Sequence, residues 1–495
     1  MGLPETRSPE TSDEQVSLGQ TFTDLASSQP DEVALVCEDT ALTRSELESR
    51  ANRLARRFVE LGVRQDSLVT IGLPNGIDFV EATLATWKAG ATPQPISSKL
   101  PGTELASILE LAHPALTVGM EHDADTGAAL EGTHPAVGEV SDAPLGLHAA
   151  ASWKAPTSGG STGTPKLIID GRPAVAETTA RLAELLRIKP TDTVLITGPL
   201  YHNAVFMTMA TALTTGARVV VMPRFDAALA LELVERQRVS WMYAVPTMMH
   251  RILRLPDGVK DGVDLSSLRT VYHFGAPCAP WLKRAWIGWF GPDAVWELYA
   301  GTEAQAATAI GGREWLSHEG SVGRPVSGEM KILDPDGAAV PPGHVGEVWM
   351  RPGEGRRSHY TYVGASPREI GGWESLGDMG HMDEDGYLYL ADRDTDMILS
   401  GGANIYPAEV EAALDEHPAI MSSCVVGLPD DDLGNAVHAI VQLDRLVTDD
   451  EMREHLGGRL VRYKIPRTFE RVEFPLRDDA GKVRRGTLRS ERINQ

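Results

Sequence analysis

A helix is predicted after Thr43 from the spacing of apolar residues. Thr43 and Glu46 stand where a capping box would close the first turn, and Gly62 stands where a helix commonly ends. The apolar positions between them follow the period of one helix face: Leu47, Ala51, Leu54, Ala55 and Phe58. The segment therefore predicts an amphipathic helix that packs against a core.

Further along the chain, short apolar runs alternate with helix-length segments. These runs lie at 194–197, 219–222, 241–245, 270–274 and 295–299. Such alternation predicts a parallel sheet covered by helices. Because parallel sheets bind ligands beyond the carboxyl ends of their strands, the residues directly after each run are the first candidates for a binding site.

The character of the chain changes near Asp392. Beyond it, we predict two helices and two apolar strands, at 407–414, 450–460, 423–427 and 437–443. About 100 residues remain there, which is enough for a small domain. The predicted fold class is α/β, with a large N-terminal domain of mixed and parallel sheets covered by helices and a small α+β C-terminal domain.

Composition and charge narrow the class of protein. Of 495 residues, 42% are hydrophobic and 23% charged, as in a folded enzyme-sized protein. A net charge of −23 would repel nucleic acid and anionic membranes. Three cysteines are too few for a disulfide framework, and no apolar run reaches the ~18 residues that span a bilayer. We therefore expect a cytoplasmic enzyme with no nucleic-acid partner and no membrane insertion.

The segment 157–166, TSGGSTGTPK, has the composition of a phosphate-binding loop. Its glycines let backbone N–H groups surround phosphate oxygens, its hydroxyl groups add donors and its lysine adds charge. In a P-loop NTPase the lysine directly follows a glycine. Here Thr164 and Pro165 separate Gly163 from Lys166, which disfavours that class. Taken alone, the segment is equally compatible with a flexible turn.

Six further motifs follow this loop in order. They are Tyr201-His202-Asn203, Tyr299-Ala300-Gly301-Thr302-Glu303, GSVGRP at 320–325, Gly377-Asp378, SGGANIYPAE at 400–409 and Gly481-Lys482. With them, the chain from about residue 20 to residue 485 resembles the adenylate-forming (ANL) superfamily, and within it the acyl-CoA synthetase branch. The resemblance implies an enzyme that uses ATP, Mg²⁺ and coenzyme A to convert a small-molecule carboxylic acid into an acyl-adenylate and then a thioester. It also implies an N-terminal domain over 1–393 and a mobile C-terminal domain over 394–495.

Nucleotide binding is assigned partly by chemistry and partly by this resemblance. Gly275 to Pro277 would form one wall of an adenine slot and Tyr299 the other, although a buried core tyrosine is the alternative. By the resemblance, Asp378 accepts the ribose hydroxyls and Arg393 contributes. The predicted ATP- and AMP-binding residues are Thr157, Ser158, Gly159, Gly160, Ser161, Thr162, Gly163, Lys166, Gly275, Ala276, Pro277, Tyr299, Gly301, Thr302, Asp378 and Arg393.

Catalysis requires the substrate carboxylate to attack the α-phosphate, so two anions must approach each other. Lys482, Mg²⁺ and the loop amides would supply the positive charge. Glu303 is the predicted Mg²⁺ ligand, because Mg²⁺ binds one or two carboxylates together with substrate phosphates. The predicted catalytic residues are Lys482, Glu303 and His202.

By the resemblance, the acyl group enters beside His202. The predicted acyl pocket consists of His202, Asn203, Phe206, Met207, Tyr243 and Val245. Each apolar member is equally compatible with the protein core. Peptide adenylation domains hold the substrate amino group with an Asp shortly after this point, and none is present here, which disfavours an amino acid. The apolar lining predicts a hydrophobic acid that is fatty, aromatic or polycyclic, such as a terpenoid or steroid acid.

The resemblance further implies two domain orientations. After adenylation the small domain would rotate about a hinge near 393–396, so that Gly401, Gly402 and Ala403 shape a channel for the thiol of coenzyme A. Thr395 departs from the Asp or Lys that the family usually carries two residues after its hinge arginine.

Three alternatives remain open from the sequence. One is an acyl-AMP ligase that loads the thiol of a carrier protein, and another is a luciferase-like oxidase. The third is a non-catalytic nucleotide-binding homologue, which the presence of Lys482, Glu303, Asp378 and Lys166 disfavours.

Overall fold

A computed structural model describes residues 15–120, 128–130, 140–146, 148–159, 165–353, 359–478 and 481–493. The α-helices of these residues are α1 (Leu18–Ser28), α2 (Arg44–Glu60), α3 (Ile77–Lys88), α4 (Gly102–Ala112), α5 (Ala176–Leu186), α6 (Asn203–Thr215), α7 (Ala227–Arg236), α8 (Pro246–Leu253), α9 (Asp257–Lys260), α10 (Pro280–Phe290), α11 (Gly312–Trp315), α12 (Pro407–Asp415), α13 (Asp449–Gly457) and α14 (Arg485–Ile493). Short 3-10 helices cover Asp394–Asp396 and Arg462–Lys464.

The strands are β1 (Val33–Cys37), β2 (Thr40–Thr43), β3 (Leu68–Ile71), β4 (Thr92–Pro95), β5 (Leu116–Val118), β6 (Ala128–Leu130), β7 (Thr157–Gly159), β8 (Pro165–Asp170), β9 (Thr193–Ile196), β10 (Arg218–Val221), β11 (Trp241–Ala244), β12 (Thr270–Phe274), β13 (Val295–Ala300), β14 (Ala307–Gly311), β15 (Ser321–Ser327), β16 (Glu329–Leu333), β17 (Gly346–Arg351), β18 (Tyr360–Val363), β19 (Arg368–Ile370), β20 (Trp373–Met382), β21 (Leu388–Arg393), β22 (Ile398–Ser400), β23 (Ala403–Ile405), β24 (Ile420–Asp430), β25 (Gly434–Leu443) and β26 (Thr468–Val472).

The first predicted helix is confirmed as α2. The Thr43 side chain accepts a hydrogen bond from the backbone N–H of Glu46, and the Glu46 carboxylate accepts one from the backbone N–H of Thr43. This reciprocal pair satisfies donors that an uncapped helix would leave free. The predicted apolar face is at most 1% exposed. Local sequence therefore determines both where this helix begins and which face it buries.

The five predicted strands are confirmed as β9 to β13, with bounds that differ by at most one residue at each end. They lie in a large sheet in which β13, β12, β11, β9, β10 and β1 are consecutive and parallel. Their residues form two extensive buried clusters beneath the covering helices. Because the neighbours are parallel, their carboxyl ends lie along one edge of the sheet.

The same sheet continues with antiparallel strands beyond β13. Its order there is β14, β15, β21, β20, β17 and β16. Asp378 on β20 lies directly opposite Arg393 on β21. A separate three-stranded sheet joins β18, β8 and β7, and so brings the strand after the glycine-rich loop beside β18.

The C-terminal part has its own sheet and core. Strand β25 pairs with β24 and β26, and α12, α13 and the hairpin of β22 and β23 contribute to one buried cluster. The predicted fold class is confirmed, whereas the boundary at 393/394 stays a prediction. Among the helices of the described ranges, none has the length and apolar character needed to cross a membrane.

Candidate active site

The carboxyl ends of the parallel strands bring several of the predicted site residues to one edge. His202 is the N-cap of α6, which follows β9, and Val245 is the N-cap of α8, which follows β11. Gly275 follows β12 directly, and Gly301 follows β13. Gly275 has φ +93°, a conformation that favours glycine, and a Cβ atom there would lie 3.7 Å from the Tyr243 hydroxyl.

Glu303 is held by two partners on the neighbouring three-stranded sheet. The carboxylate is 5% exposed. Lys166 Nζ lies 3.0 Å from Glu303 Oε1, and the hydroxyl of Tyr362 donates a hydrogen bond to the same oxygen. Lys166 Nζ is also 2.9 Å from the Tyr362 hydroxyl and 4.1 Å from the centre of its ring. The three groups form a closed network of one positive, one negative and one neutral side chain.

Tyr362 was not predicted from the sequence. It lies on β18, opposite Ile168 of β8, and this pairing places it beside Lys166. Burial and then the negative charge of Glu303 raise the pKa of Tyr362, so its hydroxyl stays protonated and acts as a donor. The 59 residues that separate it from Glu303 left no local signal for this contact.

The glycine-rich loop is described only at its ends. Gln94 Nε2 donates to Thr157 Oγ1 at 3.0 Å, and the backbone pairs Ser158 with Lys166 and Gly159 with Pro165. The predicted residues Gly160, Ser161, Thr162 and Gly163 lie outside the described residues. The hairpin of β7 and β8 nonetheless places Lys166 directly at the base of the loop.

Asp378, the predicted ribose acceptor, is fixed from two sides. The Tyr299 hydroxyl donates to Asp378 Oδ2 at 2.7 Å, and Arg393 Nε donates to Asp378 Oδ1 at 3.2 Å. Burial and then the Asp378 charge raise the pKa of Tyr299 well above its usual value. An ionised carboxylate has about four acceptor sites, so Asp378 retains capacity for hydroxyl donors. The structure thus joins Tyr299, Asp378 and Arg393, while stacking of adenine on Tyr299 stays a prediction.

Gly301 is required by a close approach beside this group. A Cβ atom at that position would lie 2.3 Å from Leu376 Cδ1 and 3.1 Å from Glu303 Oε2. Any larger residue would displace the Leu376 side chain or the Glu303 carboxylate. The lack of a side chain at Gly301 therefore leaves room for the Glu303 carboxylate beside Leu376. Thr302 and Ala276 are partly buried there and Pro277 is exposed; their contacts with nucleotide stay predictions.

The C-terminal domain reaches this cleft through Gly481 and Lys482. Gly481 has φ +76°, and a Cβ atom there would lie 2.7 Å from Thr247 Oγ1. The backbone N–H of Lys482 donates to Asp478 Oδ1 at 2.9 Å. Solvent reaches part of the Lys482 side chain, whereas the surrounding protein desolvates its ammonium group. The tip of the C-terminal domain therefore contacts α8 and presents its ammonium group to the edge of the parallel sheet.

The charges in this region influence one another. Burial lowers the pKa of the Lys482 ammonium, and the negative charge of Asp478 opposes this shift. With smaller effects, Arg393 lowers this pKa and Glu303 raises it. Burial and then the positive charge of Lys482 lower the pKa of His202 to about 3. His202 is therefore neutral at physiological pH. These mutual effects place Lys482 in the same electrostatic neighbourhood as His202, Glu303 and Arg393.

The predicted acyl-pocket residues occupy two different environments. Tyr243 and Val245 are 2% and 1% exposed and border Gly275. The Tyr243 ring packs edge-on against Phe274, with centroids 4.9 Å apart. Phe206 is instead fully buried in an aromatic cluster with Phe79, Trp87 and Trp153. Lining of the pocket by Phe206, and by the partly buried Asn203 and Met207, stays a prediction.

Two polar atoms beside the pocket are buried and have no hydrogen-bond partner within the described part of the chain. They are Nε2 of His202 and Oδ1 of Asn203. Buried polar groups are normally satisfied by protein, water or ligand. A neutral imidazole and an amide that lack protein partners therefore mark a place where a polar group of a substrate or a water molecule would bind.

The residues predicted for the second step lie in the hairpin of β22 and β23. Gly401 and Gly402 form its turn with φ +56° and +81°, and Ala403 begins β23. The backbone N–H of Gly401 donates to Leu433 O at 2.9 Å, which anchors the hairpin to its own domain. Their role toward a thiol stays a prediction.

The metal ion that could bind here depends on the donor atoms near Glu303. Among the side chains that the structure describes, no group of three or more His, Cys, Asp or Glu could hold a metal ion. Glu303 offers a single buried carboxylate beside Lys166. Mg²⁺ in such sites takes one or two carboxylates and completes its shell with substrate phosphates and water. The donor set therefore fits Mg²⁺ brought with a nucleotide.

Comparison with known proteins identifies the family of this chain. A family model described as AMP-binding enzyme matches residues 22–355, and a model described as AMP-binding enzyme C-terminal domain matches residues 409–482. The chain belongs to this family, in the acyl-CoA synthetase branch of the adenylate-forming superfamily, as predicted, and is an AMP-forming acid–CoA ligase.

Individual relatives match over nearly their whole length. A feruloyl-CoA synthase of Amycolatopsis sp is 30% identical over 469 residues, covering 91% of this chain and 94% of the relative. Long-chain-fatty-acid–CoA ligase FadD13 of Mycobacterium tuberculosis is 28% identical, covering 92% and 93%. The structure of o-succinylbenzoate CoA synthetase (MenE) from Bacillus subtilis in complex with its acyl-adenylate intermediate has a TM-score of 0.81 at 26% identity, covering 94% of this chain and 97% of that one.

Proposed function

We propose that the enzyme uses MgATP to convert a hydrophobic carboxylic acid into an acyl-adenylate at the cleft described above, and then transfers the acyl group to coenzyme A. The observation that carries this proposal is the position of Lys482. This cation of the C-terminal domain interacts electrostatically with Glu303, Arg393 and His202 of the N-terminal domain. This arrangement meets the main requirement of the first step, which is to bring two anions together.

In the first step a carboxylate oxygen of the acid attacks the α-phosphorus of ATP. The bond from that phosphorus to the oxygen that bridges to the β-phosphate breaks, and pyrophosphate leaves. The Lys482 ammonium would contact both the carboxylate and the α-phosphate, and so reduce their repulsion. Asp378 would bind the ribose, held by Tyr299 and Arg393. Charged groups fixed in advance along the line of attack are an effective source of transition-state stabilisation.

Glu303 would hold the Mg²⁺ that accompanies ATP, and the bound ion would neutralise charge on the phosphate oxygens. In the structure Glu303 accepts from Lys166 and Tyr362. When the nucleotide binds, Lys166 can turn from Glu303 to the phosphates at the base of the loop, while Tyr362 keeps the carboxylate oriented. The network thus keeps a buried carboxylate compensated until the nucleotide arrives.

In the second step the thiol of coenzyme A attacks the acyl carbon, loses its proton, and expels AMP. We propose that the C-terminal domain first rotates about a hinge near 393–396, where β21 ends and the 3-10 helix Asp394–Asp396 begins. Rotation would withdraw Lys482 and bring Gly401, Gly402 and Ala403 to the cleft. Replacing one set of groups by the other lets a single cleft serve two reactions and limits hydrolysis of the adenylate.

The acid is proposed to be hydrophobic, because Tyr243 and Val245 lie beside Gly275 and Phe274 packs against Tyr243. An aromatic ring of the substrate would pack favourably against this edge-on pair. Relatives named for feruloyl, indoleacetate, 2-succinylbenzoate and long-chain fatty acids support this range. A relative named for sulfoacetate shows that small charged acids also occur among similar enzymes. We therefore expect aromatic acids to be the best substrates, followed by fatty and polycyclic acids.

The proposal is tested by pyrophosphate release from MgATP over a panel of ferulic, indoleacetic, 2-succinylbenzoic, palmitic, cholic and sulfoacetic acids. We expect release with a hydrophobic member and little with sulfoacetic acid. Release with sulfoacetic acid alone would contradict the substrate class, and absence of AMP formation with every acid of a wider panel would contradict the activity. Adding coenzyme A in one arm and a phosphopantetheinyl carrier protein in the other identifies the acceptor.

A further inference from the structure

Helix α8 of the AMP-binding domain contacts the C-terminal domain at both of its ends. At its start, Thr247 and Val245 lie against Gly481, the residue before Lys482. The helix has eight residues, so its other end is about 12 Å away. Arg254 is the C-cap at that end. A single rigid helix therefore connects the place where Lys482 is presented with a second contact between the domains.

Arg254 forms that second contact through three acceptors. Its Nη1 donates to Ile420 O at 2.6 Å, and its Nη2 donates to Pro418 O and, at 2.6 Å, to Asp444 Oδ2. The backbone N–H of Asp444 donates to Ala419 O, so the three acceptors belong to one surface of the C-terminal domain. Only an arginine has a planar group with enough donors for such a set.

A third contact lies between these two. The indole N–H of Trp281, on α10, donates to Ala412 O of α12 at 3.2 Å. The Trp281 ring packs edge-on against His250 of α8, with centroids 5.4 Å apart. The contacts at Gly481, Ala412 and the Arg254 surface thus lie along α8 in order. All are polar or small contacts, with side-chain exposures of 26% for Arg254 and 45% for Asp444.

We propose that Arg254 is a positioning residue that holds the C-terminal domain in the orientation used for adenylation, and that it must release its three acceptors before thioester formation. The inference rests on the proposed rotation of that domain. Rotation would carry Pro418, Ile420 and Asp444 away from α8, whereas Arg254 remains with the N-terminal domain. Arg254 thereby biases the equilibrium between the two orientations without contacting any substrate.

The test separates the two half-reactions. Adenylation is followed as acid-dependent ATP–pyrophosphate exchange with the panel acid that the wild-type enzyme uses fastest, and thioester formation is followed from synthetic acyl-adenylate and coenzyme A. We expect Arg254→Ala to slow exchange about tenfold, as for the loss of hydrogen bonds to a charged group, and to leave thioester formation unchanged or faster. Arg254→Lys should lie between, because one ammonium cannot reach all three acceptors. Asp444→Asn, which alters one exposed acceptor, should have the smallest effect.

Arg251→Ala is the matched control, because Arg251 is an exposed arginine on the same helix for which the described residues provide no partner. Equal losses in both half-reactions, or exchange no slower than in Arg251→Ala, would overturn the proposal. If Arg254→Ala does not fold, the same criteria apply to Arg254→Lys.

A second measurement needs no substrate and therefore stands apart from the proposed activity. Hydrogen exchange of the resting enzyme should become faster in peptides that contain residues 416–422 and Lys482 in Arg254→Ala, and should stay as in wild type in Arg251→Ala. Unchanged exchange in these peptides would overturn the positioning role even if the enzyme is active. If the wild-type enzyme is inactive with every acid, the proposed function is refuted. The hydrogen-exchange comparison then still decides whether Arg254 holds the C-terminal domain.

Discussion

The two domains supply charge to the cleft in different ways. The N-terminal domain holds Glu303 and Asp378 with two side-chain partners each, inside or beside buried structure. The C-terminal domain presents Lys482 directly after Gly481, on a segment whose backbone is fixed by Asp478. The side chains proposed to bind the nucleotide in both steps, Glu303 and Asp378, are thus held in place. Lys482, which is proposed to act in the first step only, belongs to a domain that can move away. Substitutions in one domain or the other should therefore affect adenylation in different ways.

The largest effect is expected from removing the delivered charge. In Lys482→Ala the carboxylate and α-phosphate approach without their shared cation, and losing one such donor typically reduces a rate by about 10²–10³-fold. Acid-dependent ATP–pyrophosphate exchange measures this loss. Exchange at the wild-type rate would show that Lys482 has no part in adenylation.

The second-largest effect is expected from removing a charge that the N-terminal domain holds in place. Glu303→Gln keeps the shape of the side chain and can still accept from Tyr362, but it provides no negative charge for Mg²⁺. We expect about a 10²-fold loss of exchange at low Mg²⁺, with partial recovery as the Mg²⁺ concentration is raised. Glu329→Gln on β16, which breaks a half-buried ion pair with Arg351 of β17, is the control. A loss independent of Mg²⁺ would contradict the assignment of Glu303 as the metal ligand.

A smaller effect is expected at the residue that orients Glu303. Tyr362→Phe removes one hydrogen bond while it keeps the ring beneath Lys166. We expect a loss of about fivefold to tenfold in exchange, since one bond to a charged group is removed, and a higher Mg²⁺ concentration for half-maximal rate. If only the thermal stability falls and the Mg²⁺ dependence is unchanged, Tyr362 has a structural role alone.

The smallest effect is expected on the pH dependence of ATP–pyrophosphate exchange. Lys482 must be protonated, and burial lowers its pKa, so the rate should fall on the alkaline side at a lower pH than for an ordinary lysine. Because the pKa of His202 is about 3, no inflection from its protonation is expected between pH 5 and 8. Lys482→Arg should move the alkaline fall to higher pH, since arginine stays charged. An inflection near pH 6.5 that vanishes in His202→Asn would contradict the neutral state of His202.

The sequence allowed prediction of those features that depend on neighbouring residues. Helix α2 follows from Thr43, Glu46 and its apolar period, and the parallel strands follow from apolar runs between helical segments. Strand order then places His202, Gly275 and Glu303 at one edge. The identity of most site residues came from resemblance in motif order, because chemistry alone left the glycine-rich loop compatible with a turn.

Features that depend on distant contacts could not be predicted. Tyr362 meets Glu303 across 59 residues, and Arg254 meets Asp444 across 190. Neither contact produces a periodicity or a local motif. Phe206 shows a related difficulty, because an apolar residue after a strand is compatible with a pocket or a core; its ring packs against Phe79, Trp87 and Trp153, and its part in the acyl pocket stays a prediction. Such choices are decided by packing, which a single sequence does not contain.

The role of Lys482 as a group used in one step is tested most directly by supplying the product of that step. Synthetic acyl-adenylate of the acid found in the panel is mixed with coenzyme A and either wild-type enzyme or Lys482→Ala, and thioester is followed in a single turnover. The variant is expected to form thioester at close to the wild-type rate despite its loss of exchange. A fall in thioester formation as large as the fall in exchange would contradict delivery of Lys482 for adenylation alone.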